Sequence, residues 1–148
     1  MGAVWLTGLD ELQKRLQAAI DDNPDRRREM HERIAERLLQ KVQSEIGGSG
    51  RIAGMQESVV GSGGGYAAVR PKRGKDRTGY AYGAITNAVE SGHAIRRPSG
   101  FAKGYRARIR KRYVLGKHFY AKSRTEALRV ALDEAGKWAD EIVRTLRG

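Results

Sequence analysis

Apolar residues recur at helical spacing near the start of the chain. Leu9, Leu12, Leu16, Ala19 and Ile20 fall on one face of a helix. Upstream of them, Thr7 and Asp10 have the spacing of a capping box. This helix should end before Asn23-Pro24, because a proline disfavours helical geometry in the residue that precedes it.

A second helix is predicted to begin near Pro24, since proline suits the first turn of a helix. Met30, Ile34, Leu38, Val42 and Ile46 then follow at steps of four residues. Gly47-Gly48-Ser49-Gly50 comes directly after them and should end the helix. The pattern therefore predicts a long helix with one apolar side.

The helical period disappears from residue 56 onward, and short β-prone pieces replace it. We predict strands at Glu57–Val60, Tyr66–Arg70 and Tyr80–Val89. The glycine-rich run at 61–65 should join the first two strands as a hairpin. The basic tract 70–78 contains a proline and a glycine, so we expect it to be a loop.

A terminal helix is the clearest element of the chain. Ser123 and Glu126 have a second capping-box spacing. The order of elements shows no βαβ alternation and favours an α+β fold: two N-terminal helices, a small antiparallel β-sheet with a long basic insertion, and a C-terminal amphipathic helix packed on the sheet. The apolar stripe of the terminal helix comprises Leu128, Ala131, Leu132, Ala135, Trp138, Ala139, Ile142, Val143 and Leu146.

Length and composition restrict the class of protein. The 148 residues predict a single domain spanning 1–148. Cysteine is absent, which excludes disulfides, thiolate catalysis and cysteine zinc sites. No apolar run reaches the roughly 20 residues of a membrane span, and the N-terminal stretch lacks a signal-peptide pattern. A soluble protein that is not exported by the Sec pathway is expected.

Positive charge is concentrated in one internal stretch. The chain has 29 basic and 17 acidic residues, and residues 93–125 carry 11 basic residues and no acidic one. The other parts of the chain are close to neutral by comparison. This distribution indicates contact with a polyanion or an acidic partner rather than a general charge for solubility.

Enzymatic chemistry has little support in the sequence. Three histidines are present, His31, His93 and His118, but no metal-binding or nucleophile motif surrounds them. The glycine-rich runs at 47–50 and 61–65 lack the lysine and hydroxyl residue of a phosphate-binding loop. We therefore predict no catalytic residue, no metal site and no cofactor.

The basic insertion at 93–117 is the candidate binding segment, as an extended loop or hairpin. Within it, Arg106, Arg108, Arg110 and Arg112 alternate with other residues, so a strand would place all four on one face. Their partner would be the phosphates of a nucleic acid or the carboxylates of a protein. A solvated, mobile loop without a ligand is the third possibility. The candidate binding residues are Arg96, Arg97, Lys103, Arg106, Arg108, Arg110, Lys111, Arg112 and Lys117.

Two motifs flank this insertion and resemble one protein family. Val89-Glu90-Ser91-Gly92-His93 precedes the insertion, with Ser91 where the family usually has an aromatic residue, and Gly116-Lys117-His118-Phe119 follows it. A weaker match is Ala53-Gly54-Met55-Gln56-Glu57-Ser58-Val59, which is one residue shorter than the family's element. Together they resemble the tail-completion or neck proteins of long-tailed bacteriophages, the family named after the gene-product-ten protein of a lambda-like coliphage.

The resemblance implies a virion structural protein without enzymatic activity. Members assemble as a ring, commonly a hexamer, between the head connector and the tail tube, around the path of double-stranded DNA. The implied partners are other copies of the chain, neighbouring connector and tail proteins, and DNA contacted without sequence specificity. The implied location is the neck or tail of a virion assembled in the bacterial cytoplasm.

The motif residues Glu90, Gly92, His93 and Phe119 are expected to determine the fold rather than to bind ligands. Gly92 should adopt a backbone conformation that a side chain would forbid. Glu90 should accept hydrogen bonds from nearby N–H groups or pair with a basic residue. Two other functions stay open at this stage: a basic nucleic-acid-binding module, and a small nuclease or toxin.

Overall fold

The computed structural model describes the backbone of residues 2–48, 50–95 and 112–147, with side chains from residue 11 onward. Four helices and four short strands occur in these ranges. In chain order they are α1 (Gly2–Ile46), α2 (Arg51–Gly54), β1 (Gln56–Val60), β2 (Ala67–Pro71), α3 (Tyr82–Ser91), β3 (Gly92–Ala94), β4 (Tyr113–Leu115) and α4 (Phe119–Arg147). The mixture of helices and antiparallel strands confirms the α+β class.

The N-terminal half is one helix, so the prediction of two helices separated at Asn23-Pro24 was wrong. Helix α1 has 45 residues and contains Pro24 in its interior. Proline removes one helical hydrogen bond, but tertiary contacts hold the turns after it. The Arg26 guanidinium donates to the Glu141 carbonyl at 3.4 Å and to the Thr145 hydroxyl at 2.8 Å on α4. Packing against α4 thus outweighs the local preference for a break.

The structure contains the predicted helix end at the first glycine run and the predicted hairpin at the second. Helix α1 ends at Ile46, and Gly47 and Gly48 have φ of 59° and 74°. The short helix α2, which the sequence did not indicate, leads into β1. Strands β1 and β2 pair antiparallel from Gln56 opposite Pro71 to Val60 opposite Ala67, with the glycine-rich run as their turn.

The third predicted strand, Tyr80–Val89, was wrong: residues 82–91 form helix α3. Tyr82, Ile85, Thr86 and Val89 have the i, i+3, i+4, i+7 spacing of a helix face. Thr86 on this face is fully buried, and Val89 packs against the core. The β-branched residues that suggested a strand therefore make tertiary contacts in a helix.

The sheet also differs from the single small sheet that was predicted. Strands β1 and β2 form one two-stranded sheet, and β3 and β4 form a second. In the second sheet Gly92 pairs with Leu115 and Ala94 pairs with Tyr113. The β3–β4 pairing brings together the two ends of the basic insertion.

Helix α4 packs chiefly on α1, and α1 in turn lies against β1 and β2. The prediction that α4 packs on the sheet is therefore wrong, because the main contact of α4 is with α1. One apolar cluster joins Met30 and Ile34 of α1 to Val130 of α4. A second joins Val42 and Ile46 to Phe119 at the start of α4. Because α1 carries both clusters, it is the central element of the fold.

Among the described residues, no helix combines the length and the apolar character that crossing a lipid bilayer requires.

Candidate functional site

The two family-like motifs meet at one place, which we call the junction: residues 89–94 together with 113–120. Gly92 has φ of 82°, a conformation that side chains rarely adopt, as expected from the sequence. A Cβ on Gly92 would lie 2.5 Å from the Val114 carbonyl oxygen and 2.7 Å from the Gly116 nitrogen. A Cβ on Gly116 would lie 2.6 Å from the Ser91 carbonyl carbon, so neither position has room for a side chain.

Glu90 connects the end of α3 to the start of α4. Its carboxylate accepts hydrogen bonds from the backbone N–H of Tyr120 at 3.1 Å and of Ala121 at 3.4 Å. These N–H groups belong to the first turn of α4, which has no intrahelical partner for them. Glu90 therefore acts as a cap supplied from another helix, and its negative charge suits the helix N-terminus.

This cap replaces the one predicted from the sequence. Helix α4 begins at Phe119, four residues before Ser123. Ser123 lies inside the helix, where its hydroxyl donates to the Phe119 carbonyl at 2.8 Å. The predicted capping box at Ser123 and Glu126 was therefore wrong. Glu126 instead pairs with Arg129.

Backbone contacts complete the junction. The N–H of Lys117 donates to the Val89 carbonyl at 2.8 Å, and the N–H of His118 donates to the Glu90 carbonyl at 3.1 Å. His118 has a positive φ of 54°, which is uncommon for a residue with a side chain. Phe119 is fully buried. The junction is thus a tightly constrained anchor between α3 and α4.

A buried polar network lies beneath the junction. The Tyr120 hydroxyl donates to the Gln56 side-chain oxygen, and the Gln56 amide donates to the Thr86 hydroxyl at 3.1 Å. Burial, with a smaller contribution from the Glu90 charge, raises the pKa of Tyr120 to about 12. The network links β1, α3 and α4, and the Gln56 amide also donates to the Ile52 carbonyl at 3.2 Å.

The structure describes only some of the predicted binding residues. Arg96, Arg97, Lys103, Arg106, Arg108, Arg110 and Lys111 lie outside the described residues. Arg112 is exposed directly before β4. Lys117 makes a structural contact, because its ammonium donates to the Ile46 carbonyl at 2.9 Å and so caps the C-terminus of α1. His93 is exposed, with its Nδ1 3.4 Å from the Ala88 carbonyl oxygen.

A second basic surface lies in the segment after β2, which the sequence analysis predicted to be a loop. Between β2 and α3, the basic loop (residues 72–81) exposes Lys72, Arg73, Lys75 and Arg77. Its conformation depends on Asp76, whose Oδ1 accepts hydrogen bonds from the Thr78 hydroxyl, the Thr78 N–H and the Tyr80 N–H. These bonds lower the pKa of Asp76, with the Thr78 hydroxyl the largest cause. The density of basic residues at 70–78 was the signal for this surface.

The basic loop lines an open cleft together with α2. The cleft has a volume of about 640 Å³, and Arg51, Lys72 and Arg77 contribute cationic side chains to it. Arg51 is already bound to Asp76 at 2.8 Å. The exposed side chains of Lys72 and Arg77, which line the cleft, are available to contact an anion.

An acidic side chain is buried between α1 and α4. Glu134 is 3% exposed and forms salt bridges with Arg33 at 2.8 Å and Arg37 at 2.7 Å across the helix pair. Lys137 contacts the same carboxylate at 3.1 Å. Burial by itself would raise the pKa of Glu134, but the hydrogen bonds from these three residues outweigh it and lower the pKa to about 2. The cluster fixes the pairing of the two long helices.

Within the described ranges, no group of three or more acidic, histidine or cysteine residues is arranged to hold a metal ion. Comparisons with family models, with curated proteins and with solved structures found no match for this chain.

Proposed function

We propose that the protein is a virion structural subunit that forms a ring in the neck or tail of a bacteriophage, around the DNA channel. The proposal rests on the family resemblance of the two motifs that flank the basic insertion. The observation that supports it best is their meeting at the junction. Residues 89–93 and 116–119 are separated by 22 intervening positions, yet the N–H groups of Lys117 and His118 donate to the carbonyls of Val89 and Glu90 at 2.8 and 3.1 Å.

The junction gives the basic insertion a defined origin on the body of the subunit. Ile95 donates its N–H to the Arg112 carbonyl at 2.9 Å, so the insertion leaves and returns at one point. The segment between these two residues carries seven basic side chains and no acidic one. Such an arrangement suits intersubunit or DNA contact in a ring.

We infer a non-enzymatic role from the same features. The constrained residues of the junction stabilise the fold, and the side chains of Gln56, Thr86 and Tyr120 are hydrogen-bonded to one another. Positive surface is offered by the exposed basic loop and by Arg112. A DNA path through a ring requires contact with phosphates, because the bases change continually as the genome moves. The implied location is the virion.

A basic nucleic-acid-binding module is the second candidate. The observation that favours it is the basic loop, which Asp76 holds in a fixed conformation with four exposed cationic side chains. A preformed cationic surface binds a phosphate backbone without the entropic cost of ordering a loop. In this case the chain would bind DNA or RNA as a monomer or dimer.

Mass measurement and DNA titration of the purified protein distinguish the two candidates. For a ring subunit we expect oligomers in light scattering after size exclusion, rings with a central hole in negative-stain images, and weak DNA binding. For a nucleic-acid-binding module we expect a monomer or dimer whose DNA affinity falls steeply between about 50 and 200 mM salt. A monomer with tight, salt-sensitive binding would refute the ring proposal.

Charge reversal locates the DNA contact. Arg108→Glu with Arg110→Glu tests the insertion, and Lys72→Glu with Arg73→Glu tests the basic loop with the same change in charge. If the protein is a nucleic-acid-binding module that uses the basic loop, only the second pair should reduce the slope of affinity against salt, by roughly one for each phosphate interaction that is removed. For a ring subunit, reversal in the insertion should impair assembly with its partners, whereas reversal in the loop should not.

A further inference from the structure

The basic loop carries positive charge that the neighbouring sequence does not balance. From Arg70 to Val89 the chain has five basic residues and one acidic residue, Asp76. The Asp76 carboxylate is bound to Arg51 at 2.8 Å, and Arg70 is bound to Glu57 at 3.0 Å. The other basic side chains of the loop are exposed and form no salt bridge with the residues that the structure describes: Lys72, Arg73, Lys75 and Arg77. Their charge is available to an anionic ligand.

Hydrogen bonds at Asp76 hold the loop in one conformation. The Asp76 side chain is only 8% exposed, and its Oδ1 accepts from the Thr78 hydroxyl and from the N–H groups of Thr78 and Tyr80. The backbone N–H of Asp76 donates to the Tyr80 carbonyl at 2.8 Å, and the Tyr82 N–H donates to the Gly74 carbonyl at 3.0 Å. Residues 74–82 thus form a short antiparallel ladder, so the cations are carried on a fixed backbone.

An exposed aromatic side chain belongs to the same ladder. Tyr80 is 65% exposed, although both its N–H and its carbonyl are hydrogen-bonded to Asp76. Lys75 pairs with Ala81, so Tyr80 lies directly opposite Asp76. Residues that lie opposite each other in an antiparallel pair have their side chains on the same face. Because Asp76 lines the cleft, Tyr80 lies on the cleft side of the loop.

A second aromatic ring forms part of the cleft wall. Tyr82 lines the cleft together with Lys72 and Arg77. The Tyr82 ring lies against Gly74, where a Cβ would be only 3.1 Å from a ring carbon. Tyr80 and Tyr82 thus place two aromatic side chains, two positions apart, next to a cationic surface. Positive charge that follows the phosphates, combined with aromatic rings that stack on bases, is the arrangement by which proteins bind single-stranded nucleic acids.

We propose that the basic loop and its cleft bind single-stranded nucleic acid. The exposed cations of the loop contact phosphates, and an unpaired base stacks on the Tyr80 ring. Arginine side chains match the geometry of phosphate oxygens, and a fixed surface binds without the entropic cost of ordering a loop. In a duplex both faces of a base are covered by its neighbours, so only an unpaired base can stack on this ring.

The exposed ring is the feature that selects single strands. Phosphate contact alone does not distinguish a single strand from a duplex, because both present the same charged groups. The inference rests on the second candidate function, which assigns nucleic-acid binding to the same loop. It adds the class of nucleic acid and the side chain that recognises it. It does not depend on ring formation, so the oligomeric state of the protein tests the first candidate function separately.

Two kinds of variant separate stacking from charge, with binding measured by the fluorescence anisotropy of labelled strands. Tyr80→Ala should weaken binding to a thymidine oligomer of about 12 nucleotides roughly fivefold or more, because one stacked base is lost. Tyr80→Phe keeps the ring and should bind like wild type. Tyr66→Ala is the matched control, because Tyr66 is 58% exposed at the other end of the β1–β2 hairpin. Lys75→Gln with Arg77→Gln should weaken binding to every strand and reduce its salt dependence.

An abasic strand of the same length and a duplex are the comparison probes, and circular dichroism verifies the fold of each variant. Tyr80→Ala should bind both probes as tightly as wild type does, because neither offers an unpaired base. Equal affinity of wild type for the thymidine oligomer and the abasic strand would overturn the inference and leave the second candidate function intact. Unchanged binding of the oligomer to Tyr80→Ala would overturn it as well. Failure of wild type to bind any strand would refute both.

Discussion

Gly92 and Gly116 cross so closely that neither position has room for a side chain. A Cβ on Gly92 would be 2.7 Å from the Gly116 nitrogen, and a Cβ on Gly116 would be 2.8 Å from the Gly92 nitrogen. The two glycines belong to the two motifs on either side of the basic insertion. Their contact defines where the insertion leaves the body of the protein.

The first prediction concerns this crossing. Gly92→Ala should lower the free energy of unfolding by at least about 2 kcal/mol, because alanine is strained at positive φ and its Cβ meets backbone atoms that cannot rotate away. Chemical denaturation measures the loss. Gly83→Ala in α3 is the matched control, because a Cβ there meets nothing within 4 Å. It should stay within about 1 kcal/mol of wild type, on the stabilising side. Equal stability of both variants would contradict the close approach of Gly92 to Gly116.

Removal of the α4 cap gives the second prediction. Glu90→Ala should cost about 1–2 kcal/mol, as for other helix caps, because two N–H groups of the first turn lose their acceptor. Glu90→Gln should lose less, since its amide oxygen still accepts. Amide hydrogen exchange should accelerate at Tyr120 and Ala121 in the alanine variant. Unchanged protection there would show that another group caps the helix.

The third prediction is a loss of stability in acid that depends on Glu134. Its pKa falls from the ordinary value of 4.5 to about 2 in the folded protein. A carboxyl with a lowered pKa binds protons more readily in the unfolded chain, so its stabilisation is complete above pH 4.5 and is lost as the pH falls toward 2. Denaturation across this range should show stability decreasing with acid in wild type.

Glu134→Gln should make that decrease shallower, because the titrating group is gone. The same variant should be less stable at neutral pH, since Arg33 and Arg37 lose a charged partner. Asp140→Asn, on an exposed position of the same helix, is the matched control for the loss of one negative charge. Identical slopes for wild type and Glu134→Gln would refute the role of this residue.

Tyr120 provides the fourth prediction. Tyr120→Phe leaves the Gln56 side-chain oxygen buried without its donor, so we expect a loss of about 1–3 kcal/mol. The raised pKa of Tyr120, about 12 against an ordinary 10, implies stabilisation that is complete below pH 10 and declines as the pH rises toward 12. Ultraviolet titration should show one tyrosine that ionises late in wild type. A titration curve of Tyr120→Phe that keeps this late component would contradict the assignment.

Local pattern was enough to predict several elements. The four-residue steps from Met30 to Ile46 and the apolar positions from Leu128 to Leu146 predicted the two long helices, because helical periodicity is a property of neighbouring residues. The glycines after Ile46 and at 61–65 predicted a helix end and a hairpin for the same reason. At the candidate site, the sequence also indicated that Gly92 needs a special backbone conformation and that the basic residues cluster around the insertion.

Interactions between distant residues decided the rest. Pro24 stays inside α1 because α4 holds the turns beyond it, although the local preference at Asn23-Pro24 is to stop. Residues 82–91 form a helix because Thr86 is buried and Val89 packs against the core. Glu90 caps a helix 30 residues later, and Lys117 caps one that ends 71 residues earlier. No local pattern contains these partners, since each pairing depends on burial and hydrogen bonding that exist only after α1, α3 and α4 have packed together.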